Sequence, residues 1–109
     1  MKYTDQQLEA ISKEAFEAAR KASSEFIEKR GEMLYCGFAW VNIRPGNCQI
    51  ANYLKKNKLG DKSYAGGVDV WNPSMHGTQS MDVKEAGAEA FAEVLQKYGF
   101  NAYMCSRAD

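Results

Sequence analysis

Apolar residues recur at steps of three and four over the first thirty positions, which is the spacing of one face of an α-helix. This stripe contains Leu8, Ile11, Ala15, Ala18, Ala22 and Phe26. Thr4 with Gln7 fits a capping box, and Tyr3 with Leu8 fits a hydrophobic staple. The pattern therefore predicts a helix that begins after Thr4 and ends before Gly31, with its charged face toward solvent.

The next segment, residues 33–43, is apolar on both alternating faces. Such a pattern is typical of a central strand that is covered on both sides. The turn-forming residues 44–47 should end this strand. Asn47 is the predicted N-cap of a short helix that runs to about Lys58 and is closed by Gly60.

The last third of the chain predicts a strand, a helix and a second strand. Over residues 64–71, Val68 and Val70 share one face and Asp69 and Trp71 the other. Gly66 and Gly67 weaken the start of this strand, which indicates a bulge or a close approach by another part of the chain. Either Ser80 or Asp82 should cap the following helix, and the apolar face of that helix contains Val83, Ala86, Ala90, Phe91, Val94 and Leu95. The final strand is predicted over residues 100–105, followed by a short polar tail.

These elements predict a single globular α+β domain over residues 1–109, in the order α-β-α-β-α-β. A small mixed three-stranded sheet would be packed by two long helices and one short helix. The second strand, the last helix and the last strand have the length of a crossover unit, which favours parallel, right-handed placement of the two strands. The first strand can pair with the second in either direction.

Composition narrows the class of protein. The 14 basic and 14 acidic side chains balance, which disfavours a duplex nucleic-acid binder. A run of lysines at 55, 56, 58 and 62 is interpreted as a solvated loop beside a helix end. No apolar run approaches a membrane span and no leader pattern is present, so a cytoplasmic protein is expected.

The three cysteines are scattered and form no CxxC motif, so neither a zinc site nor another cofactor is predicted. Cys36 and Cys105 lie in apolar runs and are expected to be small buried hydrophobic residues.

Four segments carry a resemblance: CGFAWVNIRPGN, YAGGVDVW, GTQSMDVKEAGAEAFAEVL and GFNAYMCSRAD. They resemble a group of small uncharacterised proteins encoded by tailed bacteriophages, and the resemblance covers about the last two-thirds of the chain. It implies a phage accessory protein that acts in the cytoplasm of a bacterial host. No catalytic or binding residue is carried over from this group.

The polar segment before the last helix is the first candidate site. His76, Thr78, Gln79, Ser80 and Lys84 surround a helix start, where backbone N–H groups can bind a phosphate or a carboxylate. Neither a P-loop nor a GxGxxG motif is present. The simpler interpretation is that Ser80 caps the helix and that His76 is a surface or turn residue.

Three more residues are candidates because each lies at a strand end. Trp71 is either a core residue or a platform on which an aromatic ring can stack. Arg44 and Arg107 have two interpretations as well. Either one of these arginines forms an ion pair with Asp69, or both arginines lie at the mouth of a pocket, where a guanidinium suits a phosphate or carboxylate.

The leading functional prediction is a non-enzymatic binding protein that holds an anionic, nucleotide-like ligand near residues 71–84. The predicted ligand set is Trp71, His76, Thr78, Gln79, Ser80, Lys84, Arg44 and Arg107. One alternative is a protein–protein interaction module or an inhibitor of a host bacterial factor, and association into a homo-oligomer is left open. A second alternative is a small hydrolase-like enzyme, which requires His76 within reach of a carboxylate or hydroxyl.

Overall fold

The computed structural model describes residues 2–31, 36–75 and 80–108, and within them it contains three helices and four strands. The elements follow in the order α1 (Asp5–Arg30), β1 (Gly37–Arg44), α2 (Gln49–Lys56), β2 (Asp61–Lys62), β3 (Val68–Trp71), α3 (Met81–Lys97) and β4 (Asn101–Ala108). The mixed α/β class and the three helices agree with the sequence prediction, although the helix lengths differ from it, as at α2, which ends at Lys56 rather than at about Lys58. The strand count differs from it.

The sheet has the order β2-β3-β1-β4, and all three strand pairs are antiparallel. The prediction of a mixed three-stranded sheet was therefore wrong. β3 and β4 do run in the same direction, as predicted, but β1 lies between them, so they make no parallel pair.

The additional strand, β2, lies just before the segment that was predicted as a strand over 64–71, and residues 64–67 of that segment form the turn that joins β2 to β3. Gly66 and Gly67 have φ values of 102° and 76°, which allow a turn where a continuous strand was expected. Gly67 also approaches β1 closely, because a Cβ placed on it would lie 2.3 Å from the carbonyl oxygen of Ile43. The close approach predicted for this glycine pair is confirmed at Gly67.

The predicted capping box of α1 is present. The Thr4 hydroxyl accepts from the backbone N–H of Gln7, and the Gln7 side chain accepts from the backbone N–H of Thr4. Gly31 ends the helix at a φ of 73°, and its N–H donates to the Ile27 carbonyl at 2.7 Å. The helix bounds were therefore predicted correctly.

The buried face of α1 departs from the predicted stripe in its second half. The buried positions there are Phe16, Ala19 and Ser23, whereas Ala18, Ala22 and Phe26 are only half-buried. Contact with α3 explains the change. The Ser23 hydroxyl donates to the Val83 carbonyl at 2.8 Å. A Cβ on Gly87 of α3 would lie 2.6 Å from Ser23 Oγ, so the glycine permits this close approach.

The other two helices differ from prediction at their starts and in their buried faces. Cys48, rather than Asn47, is the N-cap of α2, and its side chain makes no capping bond. In α3, Ser80 caps the helix and the Asp82 alternative is not used. The buried face of α3 contains Val83, Gly87, Ala88, Phe91, Ala92 and Leu95, so the predicted Ala86, Ala90 and Val94 are only half-buried.

The hydrophobic core lies between the helices and one face of the sheet. The strand residues in it are Ala39, Val41, Ile43, Val68, Val70 and Ala102. On the opposite face, Phe38 and Arg44 are exposed and Trp40 is half-buried. The expectation that the first strand is covered on both sides was therefore wrong. Aromatic residues on its second face made the strand look like a buried one.

Three smaller predictions are also corrected. β4 extends to Ala108, so most of the predicted polar tail is strand. Cys36 is exposed just before β1, and Cys105 is half-buried on the sheet face away from the helices, so neither is a core residue.

No helix in the described ranges is both long enough and apolar enough to cross a membrane.

Candidate functional site

The sheet face that points away from the helices is called the open face. Strand register places its members side by side, with Asn42 between Asp69 and Tyr103 and with Trp40 between Trp71 and Cys105. Its residues are Phe38, Trp40, Asn42 and Arg44 of β1, Asp69 and Trp71 of β3, and Tyr103, Cys105 and Arg107 of β4. Alternation along the strands therefore separates these side chains from the valines and alanines of the core.

Two tryptophans form the centre of the open face. Trp40 and Trp71 are directly opposite each other, and their rings are stacked with centroids 4.6 Å apart and planes at 29°. Trp71 remains 49% exposed, and Tyr103 on the other side of β1 is 39% exposed. The face thus presents aromatic surface to solvent on a rigid, paired backbone, which suits stacking of a planar ring.

A hydrogen-bonded network centred on Asn42 holds the hairpin turn beside this surface. Asn42 Nδ2 donates to Asp69 Oδ1 at 2.8 Å and to the Gly66 carbonyl at 3.0 Å. Asn42 Oδ1 accepts from Arg44 Nε at 2.9 Å, and Arg44 Nη2 donates to the Ala65 carbonyl at 2.8 Å. The turn is therefore fixed to β1 by side chains as well as by its two strands.

This network corrects the predicted ion pair between Asp69 and an arginine. The Asn42 amide lies between Asp69 and Arg44, bonding to the carboxylate with one end and to the guanidinium with the other. Asn42 can do so because it is opposite Asp69 across the strand pair and two residues before Arg44 on the same face. Asp69 is only half-buried, so its charge does not require a direct ionic partner.

A cavity of about 480 Å³ lies between the turn and the open face. Its walls include Trp40, Trp71, Tyr103 and Tyr64 of the turn. This volume is within the range of small-ligand sites, roughly 300–1,000 Å³. Among the large exposed hydrophobic residues that the structure describes, Phe38, Tyr64, Trp71 and Tyr103 all lie on this face or beside it.

Positive charge flanks the aromatic centre. The Arg107 guanidinium carbon lies 5.7 Å from the centroid of Phe38, and Lys84 Nζ lies 5.3 Å from the same centroid. Arg44 is at the opposite end of β1, paired with Asn101. Six residue steps separate Phe38 from Arg44, so the two arginines bracket a strip about 20 Å long.

Among the described residues, the carboxylates on this side of the sheet lie on β2 and β3, where Lys62 also lines the cavity. Asp61 and Asp69 are paired in register there. The arginines lie on β1 and β4. An anion is therefore expected to bind toward β4 rather than toward β2.

Burial raises the pKa of the Cys105 thiol, and the negative charge of Asp69 raises it further, while Arg44 acts weakly in the other direction. Cys105 is consequently a protonated thiol at neutral pH. Protonated thiols are poor nucleophiles. Cys105 is therefore not an activated nucleophile.

The structure brings three of the predicted site residues, Trp71, Arg44 and Arg107, onto the open face. Ser80 is buried, and its hydroxyl accepts from the Val83 N–H at the start of α3. Lys84 Nζ donates to the Gly37 carbonyl at 3.0 Å. His76, Thr78 and Gln79 lie outside the described residues.

The sequence prediction did not select Trp40, Asn42 or Tyr103, although each is central to the open face. A usable signal was present in the final segment, where Tyr103, Cys105 and Arg107 alternate with smaller or more apolar residues. The polar Asn42 in an otherwise apolar strand was a second signal. Neither could show that β1 has one uncovered face.

A larger depression of about 630 Å³ lies between the start of α1 and α2. Its lining includes the carboxylates of Asp5 and Glu9, and Tyr53 supplies the aromatic surface. None of the predicted site residues lines it. Its two carboxylates outnumber its one lysine, Lys56, which disfavours the anionic ligand that the sequence predicts, so the open face is the stronger candidate.

The chain matches no protein-family model, no curated protein and no solved structure. The bacteriophage resemblance stays a prediction.

Proposed function

We propose that this protein is a non-enzymatic binding protein and that its open face holds a ligand that carries a nucleobase and a phosphate. Such a ligand is either a short single-stranded nucleic acid or a free nucleotide. The observation that carries the proposal is the half-exposed Trp71, stacked on Trp40 and flanked by Arg44 and Arg107.

Stacking supplies the first part of the interaction. Trp40 supports one side of Trp71, so a nucleobase that covers the exposed part of Trp71 encounters a ring that is already fixed in place. Tyr103 adds a second exposed ring across β1. Stacking of a base on an aromatic side chain is worth about 1–3 kcal/mol and does not depend strongly on base identity.

Charge supplies the second part. Arg107 lies over Phe38 and Arg44 lies beside the turn, so phosphates at either end of the strip would meet a guanidinium. A strip of about 20 Å is longer than one nucleotide, which favours a single-stranded segment over a mononucleotide. The balanced net charge fits this local use of arginine better than recognition of a duplex.

The proposal keeps the ligand class that the sequence predicts and moves its position. Trp71 is the last residue of β3 and adjoins the predicted 71–84 segment, but its exposed surface belongs to the open face. Lys84 reaches the edge of this face beside Phe38. Roles for His76, Thr78 and Gln79 stay predictions.

The test is fluorescence anisotropy of labelled oligonucleotides of increasing length, with unlabelled mononucleotides as competitors. We expect binding of single strands, no preference for duplex, and about 5- to 100-fold weaker binding by Trp71→Ala. Trp71→Phe should retain most of the affinity because it retains a ring. If mononucleotides compete as well as oligonucleotides at equal base concentration, the ligand is the free nucleotide.

Arg107→Ala and the charge-matched control Lys55→Ala test the electrostatic part. Lys55 is an exposed lysine in the last turn of α2, on none of the strands of the open face. Loss of one phosphate contact should reduce the slope of log affinity against log salt by about 0.7 for Arg107→Ala and leave it unchanged for Lys55→Ala. Absence of binding by any oligonucleotide or nucleotide would refute the proposal.

A protein–protein interaction module is the second candidate, and the exposed aromatic residues favour it. Phe38, Tyr64, Trp71 and Tyr103 form a patch on which a hydrophobic partner surface could pack. A host bacterial factor is the predicted partner of that kind. Under this alternative, the protein would bind no nucleotide or oligonucleotide, and Trp71→Ala would abolish capture of the protein partner.

A further inference from the structure

The two edges of the sheet differ in how they are protected from another strand. β2 is two residues long, and both of its residues, Asp61 and Lys62, are charged and exposed. β4 is eight residues long, pairs with β1 without a break in register, and contains one charged residue, Arg107. Short length, charge, proline and bulges are the usual means of protecting an edge. β2 has two of them, and β4 has almost none.

The backbone groups on the outer side of β4 can be assigned from two contacts. The Arg107 carbonyl points toward β1, because a Cβ on Gly37 would lie 2.7 Å from it. The Ala102 carbonyl points away from β1 and accepts from Gln96 Nε2 at 2.6 Å. Since antiparallel strands alternate between their two neighbours, Ala102, Met104, Ser106 and Ala108 present N–H and C=O groups at the outer edge.

We infer that two copies of this chain associate through their β4 edges, antiparallel, about a twofold axis at Cys105. In this register each outward-facing residue meets an outward-facing residue of the second copy, Ala102 with Ala108 and Met104 with Ser106. All four outward residues of each strand are then paired. The Ala102 carbonyl can still accept a second bond while Gln96 donates to it.

Strand length and side chains on the open face favour this register over axes at Met104 and at Arg107. Arg107 lies opposite the second copy's Tyr103, which allows a cation–π contact. Moving the axis to Met104 leaves Ala108 opposite Phe100, which lies outside the strand. An axis at Arg107 places the two guanidiniums directly opposite each other, and like charges in that position are destabilising.

The consequence is a single eight-stranded sheet with one continuous open face. The second copy's Tyr103 then adjoins Arg107, so each half of the face is completed by the other chain. This inference is independent of the proposed ligand. Association is measured without nucleic acid, and its failure would leave single-strand binding by the monomer intact.

Cys105 provides a direct test of the register. It would face its own counterpart at a position without backbone hydrogen bonds, where the two Cα atoms are about 4.5 Å apart, within the 4.4–6.8 Å range of a disulfide. In a Cys36→Ser, Cys48→Ser background, diamide should convert the chain to a dimer on a non-reducing gel. Adding Cys105→Ser should abolish that band.

Sedimentation of the reduced protein tests the edge itself, with an expected mass about twice 12.2 kDa. Ser106→Pro removes an outward N–H that β1 does not use, and should give a monomer. Ser106→Ala is the matched control, since it also loses the 2.5 Å bond from Ser106 Oγ to Glu85 Oε2 but keeps the N–H, and should stay dimeric. A monomer at all concentrations, or a dimer unaffected by Ser106→Pro that does not cross-link at Cys105, would overturn the inference.

Discussion

The two faces of this sheet are built from the same strands, yet they differ in composition and in what covers them. Toward the helices, the strands present valine, isoleucine and alanine, and these residues pack beneath α1 and α3. Toward solvent, the same strands present tryptophan, tyrosine, arginine, asparagine and aspartate. Small aliphatic side chains on the first face allow close helix packing. On the second face the large side chains remain partly exposed to solvent, whereas Asn42 is buried among its hydrogen-bonding partners.

Within each strand, the residues on the covered face therefore stabilise the fold, and the residues on the open face are available for function. Residues on the covered face are held by neighbours on several elements, so truncating one leaves a cavity. Residues on the open face contact mainly their cross-strand partners, as Trp40 and Trp71 do. Their exposed aromatic area contributes little to folding, which makes it available for a ligand or partner.

The largest expected effect comes from comparing one aromatic residue on each side. Phe91→Ala removes a fully buried ring that packs edge-on against Phe16 at 4.9 Å, and should lower the free energy of unfolding by about 3–5 kcal/mol. Trp71→Ala removes a half-exposed ring and one stacking contact, and should cost about 1 kcal/mol. Urea unfolding measures both.

Phe91→Leu is the control for the covered side. It retains most of the apolar volume, so its cost should be well below that of Phe91→Ala. If Trp71→Ala destabilised the protein as much as Phe91→Ala, the open face would be part of the core and the contrast between the two faces would be wrong.

A smaller effect concerns an ionic contact outside both faces of the sheet. The Glu14 carboxylate accepts from Lys97 Nζ and, at 2.6 Å, from the Tyr98 hydroxyl, which joins α1 to the end of α3. Bonding to Lys97, followed by bonding to Tyr98, lowers the pKa of Glu14 below its ordinary 4.5. The pKa of Glu14 is lower in the folded state than in the unfolded state, whose pKa is the ordinary 4.5. The contact therefore stabilises the protein above pH 4.5, and this stabilisation is lost as the pH falls through the folded-state pKa.

Glu14→Gln should therefore be slightly less stable than the parent at pH 7, by less than Trp71→Ala, because the pair is solvent-exposed. Thermal unfolding of both proteins from pH 7 to pH 3 measures the difference. The two melting temperatures should converge at the acid end. A difference that is constant with pH would show that the carboxylate charge does not contribute.

Local signals predicted much of the fold. The capping box at Thr4 and Gln7 and the stop at Gly31 are interactions within a few residues, and they appear where the sequence places them, as does Ser80, one of the two caps predicted for α3. The alternation of residues also correctly predicted that Val68 and Val70 lie on one face of β3 and that Asp69 and Trp71 lie on the other. The hairpin was missed because Gly66 and Gly67 were interpreted as a weak strand start rather than as a turn with positive φ.

The candidate site was only partly predictable because it depends on which strands become neighbours. Trp71, Arg44 and Arg107 were selected from their places at strand ends. Their convergence on one face follows from the order β2-β3-β1-β4, which local pattern does not determine. The role of Asn42 depends on the same order, since its partners Asp69 and Gly66 are 27 and 24 residues away.

The most direct test of the central claim is a map of backbone and indole N–H chemical shifts during titration of ¹⁵N-labelled protein with a short single-stranded oligonucleotide. The open face should respond, with the largest changes at the indole N–H groups of Trp40 and Trp71 and at the backbone of Tyr103 and Arg107. The start of α3 at Ser80 should change little. Changes concentrated at the start of α3, or no changes at saturating oligonucleotide, would contradict the assignment of the open face as the binding site.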